Sequence, residues 1–364
     1  MLAPLARFKI ISMSWSQILG HTERIDAFRQ LVGRNRLAHA FLFVGPPGVG
    51  KRRFAVELAK ALLCEAPRDT KSLDACDRCA ACHLVDSQTH PDLFTVRRPE
   101  EMNELPIEAM RDFCRDFSFK PARGHGKIGI IEDADDFNDA SANCFLKTLE
   151  EPPPMSLLIL LGTSLDRQLA TIRSRCQLVR FAPMSDNHVR QLLQKQGIDD
   201  SAMLARLVRV AAGSPGQALE LADADLWDFR RTLLQMLTQA KINSVQLAEA
   251  FVEFVEKAGK ESAVQRRRVN QMLKLLIDAL TDTARLQAGA PARSAEPADL
   301  PLLSSLAQRA HPDKIHAMLT RCLETEQHVG RYIQLSLIVE GLIDGLGQLL
   351  DQPGPVPVRF QGFD

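Results

Sequence analysis

Two groups of residues in this 364-residue chain carry side chains and spacings suited to chemistry. The first is Gly45-Pro46-Pro47-Gly48-Val49-Gly50-Lys51-Arg52, a phosphate-binding loop up to its last position. In that motif the glycines let backbone N–H groups close around phosphate oxygens, the lysine meets the β and γ oxygens, and a final Ser or Thr hydroxyl ligates Mg²⁺. Arg52 offers five N–H donors and no acceptor, so it cannot be that ligand. The second group is Cys64, Cys76, Cys79 and Cys82, spaced C-x11-C-x2-C-x2-C. Four thiolates complete a tetrahedral Zn²⁺ shell, and two-residue gaps let one turn direct neighbouring sulfurs at one metal. With sulfur in every position the zinc would be structural, and His83 and His90 are not needed as ligands. An iron–sulfur cluster and metal-free packing are the alternatives; disulfides suit a reducing cytosol poorly.

The loop needs a strand before it and a helix after it, and the sequence offers both. Ala40 to Val44 is a short apolar run, and Arg53 to Leu63 has helical periodicity. Further on, strands are expected at Leu93 to Val96, Lys127 to Ile131, Leu157 to Leu161 and Gln177 to Phe181, with helices at Ile107 to Phe119 and Asp139 to Leu149. That alternation predicts an α/β domain, a parallel sheet with flanking helices. Beyond Pro183 no strand pattern is convincing. Short helices from Asp186 to Ala222 are interrupted by the turn Gly213-Ser214-Pro215-Gly216, and long helical periodicities dominate from about Leu226. Gln287 to Pro301, rich in Ala, Pro and Ser, reads as a loop before helices resume at Leu302.

Lys127-Ile128-Gly129-Ile130-Ile131-Glu132-Asp133 has the form of a second nucleotide-site strand. The usual order is Asp, holding Mg²⁺ through water, then Glu, polarising the attacking water. Here it is Glu132 then Asp133, a displacement of each carboxylate by about 1 Å, which can cost about a hundredfold in rate. Two acids that merely cap a strand end are an equal reading. Thr163, just past a strand, stands where a polar side chain could sense the γ-phosphate; plain hydrogen bonding is the simpler role.

Composition narrows the classes. Forty-five Lys and Arg balance forty-five Asp and Glu, so no global field draws the chain to nucleic acid. Arg266-Arg267-Arg268 is a local basic triplet, more suited to a solvated helix face than to a nucleic-acid patch. The segment from Cys64 to Cys82 has no basic excess, and aromatic residues make up only 5% of the chain, so a zinc-dependent DNA-binding module lacks its stacking platforms. There is no run of eighteen apolar residues. The apolar, basic Met1 to Ser12 is broken by Pro4, Arg7 and Lys9, Met13 is an alternative start, and the chain is expected to be cytoplasmic.

Thr171-Ile172-Arg173-Ser174-Arg175-Cys176 adds a further signature. Together with Ala142-Asn143-Cys144-Phe145-Leu146-Lys147-Thr148-Leu149-Glu150-Glu151-Pro152, the Ser-Trp-Ser-Gln-Ile-Leu-Gly stretch from Ser14 and the four-cysteine insert, it resembles the AAA+ clamp-loader family of DNA replication. The likeness is specific over Ser14 to Pro183 and looser beyond. It implies an AAA+ P-loop domain over 14–184 with a zinc insert at 64–82, a small helical lid domain over 185–224 and an all-α collar domain over 225–354. An extension (1–13) and a tail (355–364) flank them.

The resemblance also implies that Arg175 reaches the ATP of a neighbouring subunit as a finger acting in trans. Gly216 stands where active members usually carry a lid arginine. The implied partners are motor subunits of the gamma and tau type, a clamp-opening subunit and, through the complex, a sliding clamp and primed DNA. Arg52, the inverted Glu132-Asp133 pair and Gly216 point to a non-hydrolysing subunit of the replicative polymerase assembly, with ATP and Mg²⁺ binding in doubt. The alternative is an ATP-hydrolysing motor subunit, for which Lys51 is the best argument.

Overall fold

A computed structural model of the chain describes residues 15–66, 73–99, 102–123, 126–239, 241–330 and 334–351. The expected extension (1–13), Ser14 and the expected tail (355–364) lie outside the described residues. The chain divides into two compact units, 1–196 with 212–217, and 197–211 with 218–364. The segment 185–224 therefore contributes to both.

The first unit runs α1 (Thr22–Gly33), β1 (Ala40–Val44), α2 (Lys51–Leu63), α3 (Ala80–Asp86), β2 (Leu93–Val96), α4 (Ile107–Ser118), β3 (Lys127–Ile131), α5 (Asp139–Glu150), β4 (Ser156–Gly162), α6 (Ala170–Arg173), β5 (Gln177–Arg180) and α7 (Asp186–Lys195). The five strands form one parallel sheet in the order β2-β3-β4-β1-β5, the α/β domain expected from the alternation. β1, β3 and β4 are almost wholly buried, which is why they read as continuous apolar runs rather than as alternating ones.

Alternation persists in where the side chains go. Phe41, Phe43, Ile128, Ile130, Ile159 and Leu161 join a cluster with Phe28, Phe54 and Leu58 on one face. Leu42, Val44, Leu158 and Leu160 join Phe113, Phe117 and Phe145 on the other. Phe54 on α2 lies 5.0 Å from Trp15, 5.6 Å from Phe28, 5.8 Å from Phe43 and 5.2 Å from Phe181, ring centre to ring centre. The helix that follows the glycine loop is thus fixed to the sheet by aromatic packing.

The second unit is helical: α8 (Ser201–Ala211), α10 (Ala224–Leu237), α11 (Ser244–Glu256), α12 (Ser262–Gln287), α13 (Leu300–Arg309), α14 (Pro312–Val329) and α15 (Leu335–Asp351), with α9 (Pro215–Glu220) crossing the division. Two boundaries differ from expectation for the same reason. Pro215 opens α9 and Pro301 sits in the first turn of α13, where the missing N–H has no partner to lose. The α12–α13 loop is pinned by buried Asp282, which accepts from the N–H groups of Arg293 (2.7 Å), Ser294 (2.9 Å) and Ala295 (2.7 Å) and from Ser294 Oγ (2.7 Å). In the basic triplet, Arg268 pairs with Asp223 at 2.8 Å and lies over the Phe254 ring, while Arg266 donates to Ser262 Oγ and the Val329 carbonyl. Packing within the unit thus engages the Arg266 and Arg268 guanidinium groups. Among the described residues no helix is long and apolar enough to cross a membrane.

Candidate functional site

Parallel strands bring their carboxyl ends to one edge of the sheet, and the predicted nucleotide-site residues gather there. Gly45 follows β1, Glu132 and Asp133 follow β3, and Thr163 follows β4. Gly48 (φ 75°) and Gly50 (φ 99°) take the left-handed conformations that let the loop curl, and Gly50 is the residue from which α2 starts. The loop is closed by its own chain. Ser214 Oγ donates to Pro47 O at 2.7 Å, Gly216 N–H donates to Gly48 O at 3.0 Å, and His21 Nε2 lies 2.8 Å from Val49 O. A Cβ on residue 216 would come within 2.7 Å of Gly48 Cα, so glycine there is a packing requirement. Lys51 Nζ donates to Gly45 O at 2.5 Å and Pro46 O at 2.8 Å. Burial draws its ammonium down to about 8 against the pull of the Asp135 and Asp133 carboxylates.

The two departures from the motor pattern meet each other. Arg52 Nε donates to Glu132 Oε1 at 2.6 Å, with Glu132 mostly buried and Arg52 half-exposed. Where a hydroxyl and a carboxylate would share a divalent ion, a guanidinium binds the carboxylate directly. Asp133 adopts φ 54° and starts the 3-10 turn Ala134–Asp136. Thr163 gives its backbone N–H to Asp135 Oδ2 at 2.7 Å, and Gln168 Nε2 donates to the other oxygen of the same carboxylate. Asp135 is therefore the acid that organises this corner, although neither motif includes it.

Arg175 stands apart from this cluster, between α6 and β5. Its Nε donates to Glu150 Oε1 at 2.7 Å, and its Nη1 donates to Thr171 O at 2.9 Å and to Ser174 Oγ at 3.1 Å.

The four cysteines converge although Cys64 follows α2 and the other three lie at or before α3. Cys64 and Cys79 sulfurs are 3.9 Å apart, Cys76 and Cys82 sulfurs 3.9 Å apart, and all four lie within 4.8 Å of one another. Four sulfurs at about 2.3 Å from a tetrahedral zinc are about 3.8 Å from each other, so the donor set and its spacing fit the ion. Backbone N–H groups complete the surroundings: Cys76 N–H points to Cys64 Sγ (3.4 Å), Cys79 N–H to Cys76 Sγ (3.3 Å) and Cys82 N–H to Cys79 Sγ (3.5 Å). The Arg78 N–H, followed by that of Cys79, holds the Cys76 thiol down to about 6. This cluster can hold a metal such as zinc.

Similarity to known proteins agrees with this arrangement. A family model described as "DNA polymerase III, delta subunit" matches residues 20–185. The DNA polymerase III subunit delta' of Escherichia coli is 38% identical over 200 residues, 55% of this chain and 59% of that protein. Its Pseudomonas aeruginosa counterpart is 32% identical over 226 residues, 61% of this chain and 68% of that protein. The chain belongs to the DNA polymerase III delta-prime family. The match spans less than two thirds of the E. coli relative's length. The E. coli DNA polymerase III subunit tau is 28% identical over 59% of this chain and 34% of its own. A solved gamma subunit-related protein of Thermotoga maritima is 14% identical, with a TM-score of 0.49 over 89% of this chain and 98% of that one.

Within this delta-prime family member the sequence motifs leave a second organising side chain unannounced. Lys60, fully buried on α2, pairs with Asp77, which lies between Cys76 and Cys79, and at 3.0 Å with Asp86 at the end of α3. Burial pushes the neighbouring Glu57 carboxyl up to about 8 against the pull of Lys60, so at neutral pH it adds no third negative charge. Helical spacing makes Lys60 look like any exposed lysine; only the partners, 17 and 26 residues away, mark it. Lys60→Met should destabilise the chain by about 3–5 kcal/mol, nearer the lower figure because both carboxylates keep some solvent. Urea unfolding followed by circular dichroism checks this; a loss under about 1 kcal/mol would contradict the anchoring role.

Proposed function

We propose that the chain is a non-hydrolysing, stator-like subunit of a bacterial clamp loader. In this reading it helps place a sliding clamp on primed DNA and gives Arg175 in trans to the nucleotide of a neighbouring ATPase subunit. Its partners would be gamma or tau motor subunits and a clamp-opening delta subunit, in the cytoplasm. The observation that carries the reading is the Arg52–Glu132 ion pair. It commits to each other the two positions that a motor needs for Mg²⁺, and it adds a fixed positive charge beside Lys51. The Gly213–Gly216 turn packed on the loop, and the lysine turned toward loop carbonyls, support the same conclusion. The motor reading rests on the loop and Lys51, and on likeness to tau. It lacks a metal ligand at Arg52.

The isolated protein should therefore show no ATPase above background. Arg52→Thr alone should restore none, because Glu132, Asp133 and Gly216 remain. Steady turnover that disappears in Lys51→Ala would favour the motor subunit instead.

The four-cysteine cluster is proposed as a structural zinc site that joins the insert to α2. Purified protein should hold about one zinc per chain by metal analysis. Cys79→Ser should release it and loosen the insert without unfolding the sheet, because the aromatic core on α2 does not depend on the metal. Absence of zinc, or iron in its place, would overturn the assignment.

Arg175→Ala should leave folding and assembly nearly intact, since an exposed side chain away from packing typically contributes within about 0.5 kcal/mol. It should slow ATP hydrolysis by the reconstituted complex, as fingers supplied in trans are worth roughly 10³–10⁵ at a single site. The bulk loss would be smaller because one of several motor sites is affected. Equal rates and equal clamp loading by wild-type and Arg175→Ala complexes would remove the finger from the proposal.

A further inference from the structure

The guanidinium of Arg175 is held by three residues from neighbouring elements of its own chain. Glu150, the last residue of α5, receives Nε on Oε1 and lies against Nη2 with the same oxygen. Thr171 in α6 and Ser174 at its carboxyl end receive Nη1. Arginine has five N–H bonds; two on Nη1, one on Nε and one on Nη2 are engaged, which leaves one N–H on Nη2.

This arrangement does little for stability. The Glu150 and Arg175 side chains are 47% and 36% exposed, and ion pairs that open to solvent are screened and weak. A weak pair can still select a rotamer, because a long side chain that is already ordered loses less freedom when it meets its target. Three geometric features suit selection. The acceptor sits at the end of a helix packed against the sheet, the two N–H groups converge on one oxygen, and the other guanidinium nitrogen is tied to the turn that carries Arg175 itself.

We infer that Glu150 is a positioning residue for Arg175, orienting the guanidinium so that its uncommitted N–H edge is presented to the polyphosphate of a neighbouring subunit. The inference rests on the finger reading of Arg175. Glu150 touches no nucleotide in this scheme; it acts only through the arginine. The opposite role is equally definite in its consequences: a carboxylate that merely neutralised the arginine would compete with phosphate, and its removal would raise activity.

The test uses the complete complex reconstituted with wild-type, Glu150→Ala, Glu150→Gln, Arg175→Ala or Glu150→Ala/Arg175→Ala chain, with kcat and KM for ATP measured in the presence of clamp and primed DNA. Glu150→Ala should give at least about half the drop in kcat that Arg175→Ala gives, with KM changed by less than about twofold, because the interaction is made in the transition state. Glu150→Gln should recover most of that loss, since its amide oxygen still accepts both N–H groups. The double variant should be no slower than Arg175→Ala, since residues acting through one another are not additive. A Glu150→Ala rate at or above wild type, with Arg175→Ala slow, would overturn the inference and leave the finger standing. So would Gln no better than Ala, or additive losses in the double variant. An Arg175→Ala complex as fast as wild type would remove the finger reading and this inference together.

Discussion

Five short strands, the central three almost wholly buried, satisfy their backbone groups by pairing with one another, and here every pairing is parallel. That constraint gathers the site. Parallel strands share one carboxyl edge, so the glycine loop after β1, the acids after β3 and Thr163 after β4 become neighbours although Gly45 and Thr163 are 118 residues apart. β1 lies between β4 and β5, so the loop that leaves it is bounded on both sides. The Phe181 N–H, just past β5, donates to Val44 O at 2.7 Å, which extends the pairing to the root of the loop.

Three ion pairs of the first unit differ in burial, and burial decides what each can do. Lys60 has no solvent contact and two carboxylate partners; removing it would strand those charges, so it acts on stability. Arg52 with Glu132 is intermediate. Its importance is positional, because it sets a guanidinium tethered to α2 against the acid at the end of β3. Arg175 with Glu150 is open to solvent and adds little to stability, so what it can set is the rotamer of the arginine.

Much of the first unit was legible in the sequence because the buried strands are almost wholly apolar: Ala40–Val44 and Lys127–Ile131 have the bounds that pattern predicts, and the partly exposed Leu93–Val96 keeps its expected bounds as well. The cysteine cluster was legible because metal spacing is local over Cys76, Cys79 and Cys82. What the sequence did not show is long-range. Ser214 closing on Pro47 spans 167 residues, and no residue pattern near either announces it. Asp135 was hidden by its neighbours, since the Glu132-Asp133 pair matches a known motif and the acid two residues later does not. The short α3 was missed because its start is set by the sulfur of Cys79, which accepts the Cys82 N–H, rather than by the side chains that usually cap helices.

The lysine of the phosphate-binding string has a role within its own loop. Pro46 and Gly45 expose carbonyl oxygens at the mouth of a tight loop, and such groups need donors once water is excluded. Lys51 supplies them from the first turn of α2, within a hydrogen-bond distance of both. Its ammonium is buried yet faces Asp135 and Asp133, and below about pH 8 it keeps its charge. Replacing it with an apolar residue would leave two carbonyls and nearby carboxylates without that donor. The lysine therefore has a structural role of its own, and its presence does not by itself distinguish the motor reading from the non-hydrolysing one. Arg52, which offers no acceptor to a metal and whose partner is the strand-end acid, is the residue on which the two readings differ.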